Sequence, residues 1–142
     1  MNIAYFLTTK SEVAFLYDDF TLRQALEKMR YHGYTAIPVL NRENKYIGTV
    51  SEGDFLWHLI EDVEDREELY KINMCSVEDT IIRDVIAIGS DRNPPVRITA
   101  TMGELLNRAM DQNFIPVIDD REFFIGIIRR RDIIKYFCKN PD

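Results

Sequence analysis

Residues 37–54 read IPVLNRENKYIGTVSEGD, and residues 115–132 read IPVIDDREFFIGIIRRRD. At a constant spacing of 78 residues the two stretches share six identical pairs: Ile37/Ile115, Pro38/Pro116, Val39/Val117, Ile47/Ile125, Gly48/Gly126 and Asp54/Asp132. A repeat of this length indicates one supersecondary unit used twice, each copy burying its apolar face against the other. The junction between two such units leaves a cleft of the kind in which small ligands commonly bind.

Length and composition bound the class of protein. The 142 residues, 46% of them hydrophobic, fit one compact domain or two half-domains that share a core. No stretch approaches the roughly 20 apolar residues that a membrane span needs, and the first residues lack a basic segment followed by a cleavage site, so we expect neither a membrane segment nor a secretory signal. The only cysteines, Cys75 and Cys138, predict no disulfide framework and a reduced cytoplasmic setting.

Charge and motif content exclude several functions. The net charge of −6 argues against nucleic-acid binding, which needs a basic face. An anionic ligand must therefore be held by a local basic cluster, and Arg129–Arg131 is one. We find no arrangement of Ser/His/Asp or Cys/His, no P-loop and no GxGxxG, so we expect no enzyme. His32 and His58 stand alone, which predicts no metal site.

Both repeats predict the same order of elements. The first contains a β-prone run at 13–17, a helix with a Thr21/Gln24 capping box and an end at Gly33, strands at 35–40 and 46–50, and a helix opened by Ser51 or Asp54. The second contains a β-prone segment at 95–98, a helix capped by Thr101/Glu104, strands at 114–118 and 123–128, and a closing helix from Asp132. We divide the chain into repeat one at 1–68, an inter-repeat segment at 69–91 and repeat two at 92–142. The acidic run 61–68 is interpreted as a solvated helix face.

A β-α-β-β-α unit that occurs twice, with h-P-V on one strand and G-h-h-x-x-x-D leading into a helix, resembles the CBS domain. Two tandem copies resemble a CBS pair, or Bateman module, which implies an α+β fold with pseudo-twofold symmetry. Such modules are regulatory and bind AMP, ADP, ATP, S-adenosylmethionine or cyclic di-AMP between the repeats, with no resident cofactor. The segment Gly33 to Leu40 and the arginine-rich end of the last strand resemble small stand-alone CBS proteins of Gram-positive bacteria, some of which sense cyclic di-AMP.

The resemblance implies a first nucleotide cleft on the arginine side. Its residues are Thr9, Lys10, Val13, Ala14, Tyr34, Thr35, Ala36 and Pro38, facing Arg129, Arg130, Arg131 and Asp132. An ionised carboxylate such as Asp132 accepts hydrogen bonds from ribose hydroxyls. Arginines supply charge-assisted contacts to phosphate, and amides at the start of the last helix add a positive dipole end.

The resemblance also implies a second, weaker cleft. Its residues are Ser51, Glu52 and Asp54, facing Asn113, Phe114, Ile115 and Pro116, with Val96 and Arg97 beside them. Glu52 and Asp54 repel a polyphosphate, and Phe114 replaces Ala36 and partly fills the adenine slot. The family motif carries Ser or Thr three residues before the Asp; Ser51 matches it, whereas the second copy has Arg129, so a hydroxyl contact is replaced by a longer cation.

Structural explanations stand beside these functional ones. The repeated Pro and Gly residues could recur only because turns of the fold require them, and an Asp at the start of a helix could be an N-cap worth about 1 kcal/mol. Arg129–Arg131 could be a solvated patch, and Tyr34 could be core or could stack on a base. The leading hypothesis is a nucleotide sensor, a homodimer that signals to a separate effector protein. The alternative is a ligand-independent interaction module with vestigial clefts.

Overall fold

The computed structural model describes residues 1–60 and 78–139, so the acidic run 61–68 lies outside the described residues. The strands are β1 Leu7–Thr9, β2 Leu16–Tyr17, β3 Ala36–Leu40, β4 Tyr46–Ser51, β5 Val96–Arg97, β6 Phe114–Ile118 and β7 Phe124–Arg129. The helices are α1 Leu22–His32, α2 Glu52–Ile60, α3 Ile82–Val85, α4 Met102–Asp111 and α5 Arg130–Lys139, with short 3-10 turns at Ile3–Phe6 and Lys10–Glu12. The predicted α+β architecture with two β-α-β-β-α units is confirmed: β2-α1-β3-β4-α2 is followed by β5-α4-β6-β7-α5.

Helices α1 and α4 begin as the sequence predicts. The Thr21 hydroxyl accepts a hydrogen bond from Gln24 N at 3.1 Å, and Thr21 N donates to Gln24 Oε1 at 2.9 Å. Thr101 and Glu104 make the same reciprocal pair. Two backbone donors at each helix start are thereby satisfied, which fixes where the helix leaves the preceding strand.

The helix ends differ between the repeats. Gly33 ends α1 in the left-handed conformation, with φ 69°, which glycine adopts without steric penalty. Helix α4 ends instead at Gln112 in an extended conformation. The connection to the next strand is therefore shorter in the second repeat, as the spacing of Thr and Pro in the sequence predicts.

The strands form two sheets, one for each repeat. The first has the order β2-β3-β4, and the second has the order β1-β7-β6-β5. In each sheet the short entry strand pairs in parallel with the central strand, which pairs antiparallel with the last strand. Strand β1, which the sequence analysis does not identify, lies antiparallel against β7 with Thr8 opposite Ile127. The second sheet thus has an extra edge strand from the start of the chain.

Each repeat completes its core with a segment from outside its own unit. Ile3 and Phe6 are buried in the core of the second repeat, beside Leu105 and Ile115. Ile82 and Ile86 are buried in the core of the first repeat, where Ile82 N donates to Phe20 O at 2.9 Å. The hydrophobic cores therefore cross the boundaries that the sequence analysis places after residue 68 and after residue 91.

The two repeats meet through their β-hairpins around a local twofold axis. Lys45 and Phe123, which occupy equivalent positions in the two copies, form an antiparallel bridge. Tyr46 and Phe124, also equivalent, stack with ring centroids 6.3 Å apart, and Phe124 N donates to Asn44 O at 2.9 Å. Contact between equivalent residues is the signature of a twofold arrangement, so the predicted pseudo-symmetric packing of the repeats is confirmed.

Replacing Gly126 by Ala is expected to destabilise the fold, because a Cβ at this position would lie 2.1 Å from the backbone oxygen of Thr8 in β1. Strand β1 would have to move away from β7. Overpacking of this kind costs about 1–3 kcal/mol. Urea denaturation followed by circular dichroism measures the change in the free energy of unfolding.

The matched control is Gly103→Ala in α4, where the nearest atom to an added Cβ is Thr101 Oγ1 at an ordinary 3.8 Å. This variant should be unchanged or more stable, because Ala restricts the unfolded chain and favours helix. Equal stability of the two variants would contradict the close packing of β1 on Gly126.

Candidate functional site

A cleft of about 700 Å³ lies between the two repeats, and both contribute to its walls. From the first repeat it is lined by Val13, Ala14, Gly33, Tyr34, Thr35, Ala36, Pro38, Thr49 and Ser51. From the linker and the second repeat it is lined by Arg92, Asn93, Asp111, Gln112, Asn113, Phe114, Ile127, Arg129, Arg130, Arg131 and Ile134. The volume lies in the range typical of small-molecule sites.

Most residues predicted from the sequence line this cleft. The sequence analysis divides them between two clefts, whereas in the structure members of both sets line one continuous cavity. The predicted residues on its walls are Val13, Ala14, Tyr34, Thr35, Ala36, Pro38, Arg129, Arg130, Arg131, Ser51, Asn113 and Phe114. The predicted residues outside its lining are Thr9, Lys10, Asp132, Glu52, Asp54, Ile115 and Pro116.

Several of the residues outside the lining have structural contacts of their own. Thr9 lies in β1 opposite Gly126, and its hydroxyl contacts Ser11 at 3.1 Å. The Lys10 ammonium donates to Asn44 Oδ1 at 2.8 Å, at the hairpin turn. Ile115 is fully buried in the core of the second repeat. These side chains hold the fold around the cleft.

The three consecutive arginines have different surroundings. Arg129 Nε donates to Asp132 Oδ2 at 3.0 Å. Arg130 Nε is shared between Ala109 O at 2.8 Å and Gln112 O at 3.1 Å, so this side chain satisfies carbonyls at the end of α4. Arg131 is exposed and has no carboxylate partner among residues 1–60 and 78–139. Arg131 and the outer edge of Arg129 are the cations most available to an anionic ligand.

Asp54 and Asp132 occupy equivalent positions, in the first turn of α2 and α5. Ser51 N donates to Asp54 Oδ2 at 2.8 Å, and the Ser51 hydroxyl lies 3.2 Å from the same oxygen. The sequence alone is compatible with either Ser51 or Asp54 as the residue that opens this helix. Ser51 directly precedes the first helical residue, and the two side chains together form a capping arrangement. In the second copy Arg129 replaces Ser51, and its guanidinium contacts the carboxylate instead.

Arg92, which the sequence analysis did not identify, also binds Asp54. Its Nη1 donates to Oδ1 at 3.0 Å, and its Nη2 donates to Oδ2 at 2.6 Å. Burial raises the pKa of Asp54, but the hydrogen bonds from Arg92 and from Ser51 outweigh this rise. The pKa of Asp54 therefore lies below its usual value. Charged, bidentate pairs of this geometry are the strong form of the arginine–carboxylate interaction.

Three further polar residues that the sequence analysis does not identify form a partly buried network beside Arg92. Tyr46 Oη donates to Asn93 O at 2.7 Å and lies 2.8 Å from Thr49 Oγ1. Asn93 Nδ2 donates to the same threonine oxygen at 3.1 Å. Burial raises the pKa of Tyr46 to about 12, and the hydrogen bonds to Thr49 and Asn93 oppose that rise. The phenol is neutral at physiological pH and holds the linker against β4.

The symmetry-equivalent positions in the other half are apolar. Strands β2 and β5 pair with β3 and β6 in the same register, through Leu16 and Val96, so the repeats are offset by 80 residues at these strands. The counterparts of Asn93, Thr49 and Tyr46 are then Val13, Ile127 and Phe124, and these three form one buried hydrophobic cluster with Leu40. One half of the cleft floor is polar and the other is apolar.

This register also explains why two predicted residues lie away from the cleft. Val96 and Arg97, which the sequence analysis set beside the second cleft, lie in β5, and neither lines the cavity. Asn93 occupies the position equivalent to Val13. The shorter helix-to-strand connection in the second repeat is the available signal, because the offset between the copies is 80 before this connection, as for Thr21 and Thr101, and 78 after it.

Comparison with known families identifies the class of protein. The family model of the CBS domain matches residues 6–61 and 77–139. The chain therefore belongs to the CBS domain family, and it carries the domain as a tandem pair, as its two symmetric units indicate. The resemblance inferred from the repeated motif is confirmed.

Two curated relatives show different contexts for such a pair. Cyclic di-AMP receptor B of Bacillus subtilis is 25% identical over 139 residues, covering 98% of this chain and 88% of the receptor. Inosine-5'-monophosphate dehydrogenase of Methanocaldococcus jannaschii is 25% identical over 117 residues, covering 82% of this chain but 20% of the dehydrogenase. The chain thus spans about a fifth of the dehydrogenase and most of the receptor.

Solved structures share the fold along nearly the whole chain. CbpB in complex with c-di-AMP superimposes with a TM-score of 0.82, at 23% identity over 98% of this chain and 85% of the other. CBSX2 of Arabidopsis thaliana, in complex with AMP, superimposes with a TM-score of 0.70, at 20% identity over 99% and 98%. At these identities the likeness establishes the shared fold.

The described part of the chain offers neither a metal-binding cluster nor a membrane-spanning helix. Within residues 1–60 and 78–139 no group of three or more His, Cys, Asp or Glu side chains is placed to hold a metal ion. Across the same residues no helix combines the length and the apolar character needed to cross a membrane.

Replacing Asp54 by Asn is expected to lower the free energy of unfolding by about 1–2 kcal/mol at pH 7, because it removes the charged partner of Arg92 and weakens the cap of α2. The folded-state pKa of Asp54 is depressed, so its contribution is present above the unfolded pKa, near 4, and is lost as the pH falls through the lower folded value. The difference between wild type and variant should be full at pH 6–7 and shrink below about pH 4.

The control is Asp120→Asn, which removes the same charge from an exposed turn between β6 and β7. Chemical denaturation of the three proteins at several pH values measures the effect. A pH-independent difference between wild type and the Asp54 variant would show that charge plays no part in the contribution of Asp54.

Proposed function

We propose that this protein is a regulatory sensor that binds an adenosine-containing nucleotide in the cleft between its CBS repeats and signals to a separate partner protein. The observation that carries the proposal is the composition of the cleft: cationic side chains of Arg129 and Arg131 stand at one wall, and Tyr34 and Ala36 stand at another. Such a cleft offers a positive site for phosphate together with a largely apolar slot for a base. On a chain of net charge −6, this local clustering of cations favours one anionic ligand over general anion binding.

The cleft offers a partner for each part of a nucleotide. Ala14 lies between a 3-10 turn and β2, outside the sheet ladder, so its backbone polar groups can hydrogen-bond an adenine edge. Tyr34 is half-buried beside this position and can pack against the base. Asp132 lies outside the cavity lining but directly follows Arg131, which lines it. Asp132 uses Oδ2 for Arg129, which leaves Oδ1 to accept from the hydroxyl of a ribose bound at this edge of the cleft.

Phosphate recognition falls to the start of α5. Arg131 extends from the first turn of this helix without a carboxylate partner in the described chain, and Arg129 directly precedes the helix. Backbone N–H groups at a helix N-terminus add a partial positive charge. A phosphate bound here would be held by arginine forks as well as by the helix end.

The relatives support adenosine as the shared part of the ligand. One curated relative is a cyclic di-AMP receptor, and structures of the same fold have been solved with c-di-AMP and with AMP. The proposed ligand is therefore AMP, ADP, ATP or cyclic di-AMP, acting as a regulatory ligand rather than a cofactor. We propose a regulatory role because the relative that matches nearly the whole chain is a receptor. A regulatory role also agrees with the absence of catalysis that the motifs predict.

Signalling follows from closure of the cleft. A nucleotide whose base packs on Tyr34 would draw the Arg129–Arg131 junction toward that side of the cleft, because its phosphate attracts the arginines. A ligand that binds the closed form more tightly shifts the population toward that form. The closed surface is then read by a partner protein, in the cytoplasmic setting that the sequence predicts.

A ligand-independent interaction module is the second candidate. Its support is the occupied carboxylate in one half of the cleft, where Arg92 and Ser51 already satisfy Asp54. A module whose internal side chains replace the ligand contacts would need no nucleotide to keep its shape.

A panel of AMP, ADP, ATP, cyclic di-AMP and S-adenosylmethionine is expected to contain at least one compound that raises the melting temperature. At a ligand concentration of 100 times Kd the stabilisation is about 2.7 kcal/mol, which corresponds to roughly 5–15 °C for a domain of this size. Arg131→Ala and Asp132→Asn should each reduce the shift, since they remove a phosphate and a ribose contact. Differential scanning fluorimetry measures it.

The matched control is Arg121→Ala, which removes an exposed arginine from the turn between β6 and β7 and should leave the shift intact. If no compound stabilises the wild type, the interaction module becomes the better account. A shift that survives both cleft substitutions would move the site away from the arginine wall.

We also propose that the protein acts as a homodimer. Leu56 and Trp57 on α2 and Phe137 on α5 are exposed by 57%, 71% and 48%, so both closing helices carry apolar side chains on the surface. Trp57→Ser should convert the dimer to a monomer in sedimentation experiments, because aromatic residues contribute strongly to interfaces. Tyr31→Ser on α1, where Tyr31 is exposed by 85%, should leave the mass unchanged. The same mass for all three proteins would refute this interface.

A further inference from the structure

We propose that Arg92 sets the number of nucleotides that the cleft accepts: by sealing the carboxylate of Asp54, it closes the polar half of the cleft to ribose and leaves one nucleotide site for each chain. This inference rests on the proposed nucleotide-sensing function and adds to it a residue that determines stoichiometry. Arg92 lies in the linker ahead of β5, outside the repeated motif that the sequence analysis used.

The first step is the state of the Asp54 carboxylate. Its Oδ1 accepts from Arg92 Nη1, and its Oδ2 accepts from Arg92 Nη2, from Ser51 N and from the Ser51 hydroxyl. A carboxylate has about four acceptor positions, two on each oxygen, so these contacts fill Oδ2 and take one of the two positions of Oδ1. Arg92 and Ser51 line the cavity, whereas Asp54 itself does not. A ribose could therefore bind this carboxylate through both hydroxyls only by displacing Arg92.

The equivalent carboxylate in the other half is open. Among the described residues Asp132 accepts one side-chain hydrogen bond, from Arg129 Nε at 3.0 Å to Oδ2. Its Oδ1 retains its full acceptor capacity. The two halves of a pseudo-symmetric cleft therefore differ at the atom that would bind ribose, and the difference comes from Arg92.

The backbone that follows Arg92 is fixed, which makes the seal effective. Tyr46 Oη donates to Asn93 O at 2.7 Å, Asn93 Nδ2 donates to Thr49 Oγ1, and Gln112 Nε2 donates to Pro94 O at 3.0 Å. Two consecutive prolines follow and restrict the chain further. Since the backbone is already ordered, the guanidinium loses mainly its own rotamer freedom when it binds Asp54.

The exchange that a ligand would have to make gives little gain. Two ribose hydroxyls would form two hydrogen bonds to the ionised carboxylate, but two bonds from a cationic guanidinium would be lost. Bonds between two charged partners are stronger than bonds from neutral hydroxyls. Although the Arg92 side chain is 60% exposed, Asp54 is only 17% exposed, so its carboxylate is poorly compensated by water once Arg92 leaves.

Titration calorimetry with AMP tests the inference directly. Wild type should bind one AMP per chain. Arg92→Ala should bind two, the new site having at least tenfold higher affinity than any second binding in wild type. Arg97→Ala is the matched control: it removes an exposed arginine from β5, outside the cleft lining, and should retain one site.

A second variant ties the new site to Asp54. The double substitution Arg92→Ala, Asp54→Asn should return the stoichiometry to one, because an amide cannot replace the carboxylate as a double acceptor. A merely structural role for Arg92 would not produce this reversal. If Arg92→Ala does not fold, as judged by circular dichroism, Arg92→Gln takes its place, since it keeps the hydrogen-bonding chain and removes the charge.

The outcomes separate the two proposals. One AMP per chain in both wild type and the Arg92 variant overturns the seal and leaves the sensor intact. Weaker binding of a single AMP by the variant also overturns the seal, because it identifies Arg92 as a phosphate contact. No binding of AMP to either protein, together with no shift from the other nucleotides, overturns both. Binding of AMP by the Arg92 variant but not by wild type would support the seal, and it would show that Arg92 prevents nucleotide binding in both halves of the cleft.

Discussion

The cleft depends on the contact between the two β-hairpins. Tyr46 stacks on Phe124, its own symmetry equivalent, and Phe124 N donates across the axis to Asn44 O. These contacts place the last strand of each sheet beside the other, and residues a few positions further along, Thr49 and Ile127, form the floor of the cavity. Aromatic pairs of this kind add about 0.5–1.5 kcal/mol beyond their buried area. This contact therefore sets the relative position of the two sheets and, with it, the wall that the arginines face.

A symmetric fold here carries unsymmetric chemistry. Both repeats build the same strands and helices, yet the polar network of Tyr46, Thr49 and Asn93 faces an apolar cluster that contains Phe124. The arginine triplet follows only β7. Duplication supplies two equivalent half-sites, and substitution at a few positions has made one cationic and open while the other is occupied by the protein's own side chains. This difference favours a ligand with one charged end in a defined orientation.

The local structure could be predicted from the sequence because its causes are local. Both capping boxes, the left-handed Gly33 and the strands on either side of each hairpin depend on residues a few positions apart. The ion pair between Arg92 and Asp54 joins residues 38 positions apart and leaves no pattern in the sequence. Strand β1 escaped notice because three residues are too few to show alternation. The misplacement of Val96 had a different origin, since a single offset was carried across a connection whose length differs between the copies.

The pairing of β1 with β7 restricts how the chain can be divided into independent parts. Thr8 lies opposite Ile127, which is 119 residues further along the sequence, and Ile3 and Phe6 are buried only in the core of the second repeat. The dependence is unequal, because the first copy takes Ile82 and Ile86 from the segment between the repeats, whereas the second copy takes Ile3, Phe6 and strand β1 from ahead of the first. A fragment limited to the second copy would therefore lack part of its core and one strand of its sheet, and a contact of this sequence separation is slow to form during folding.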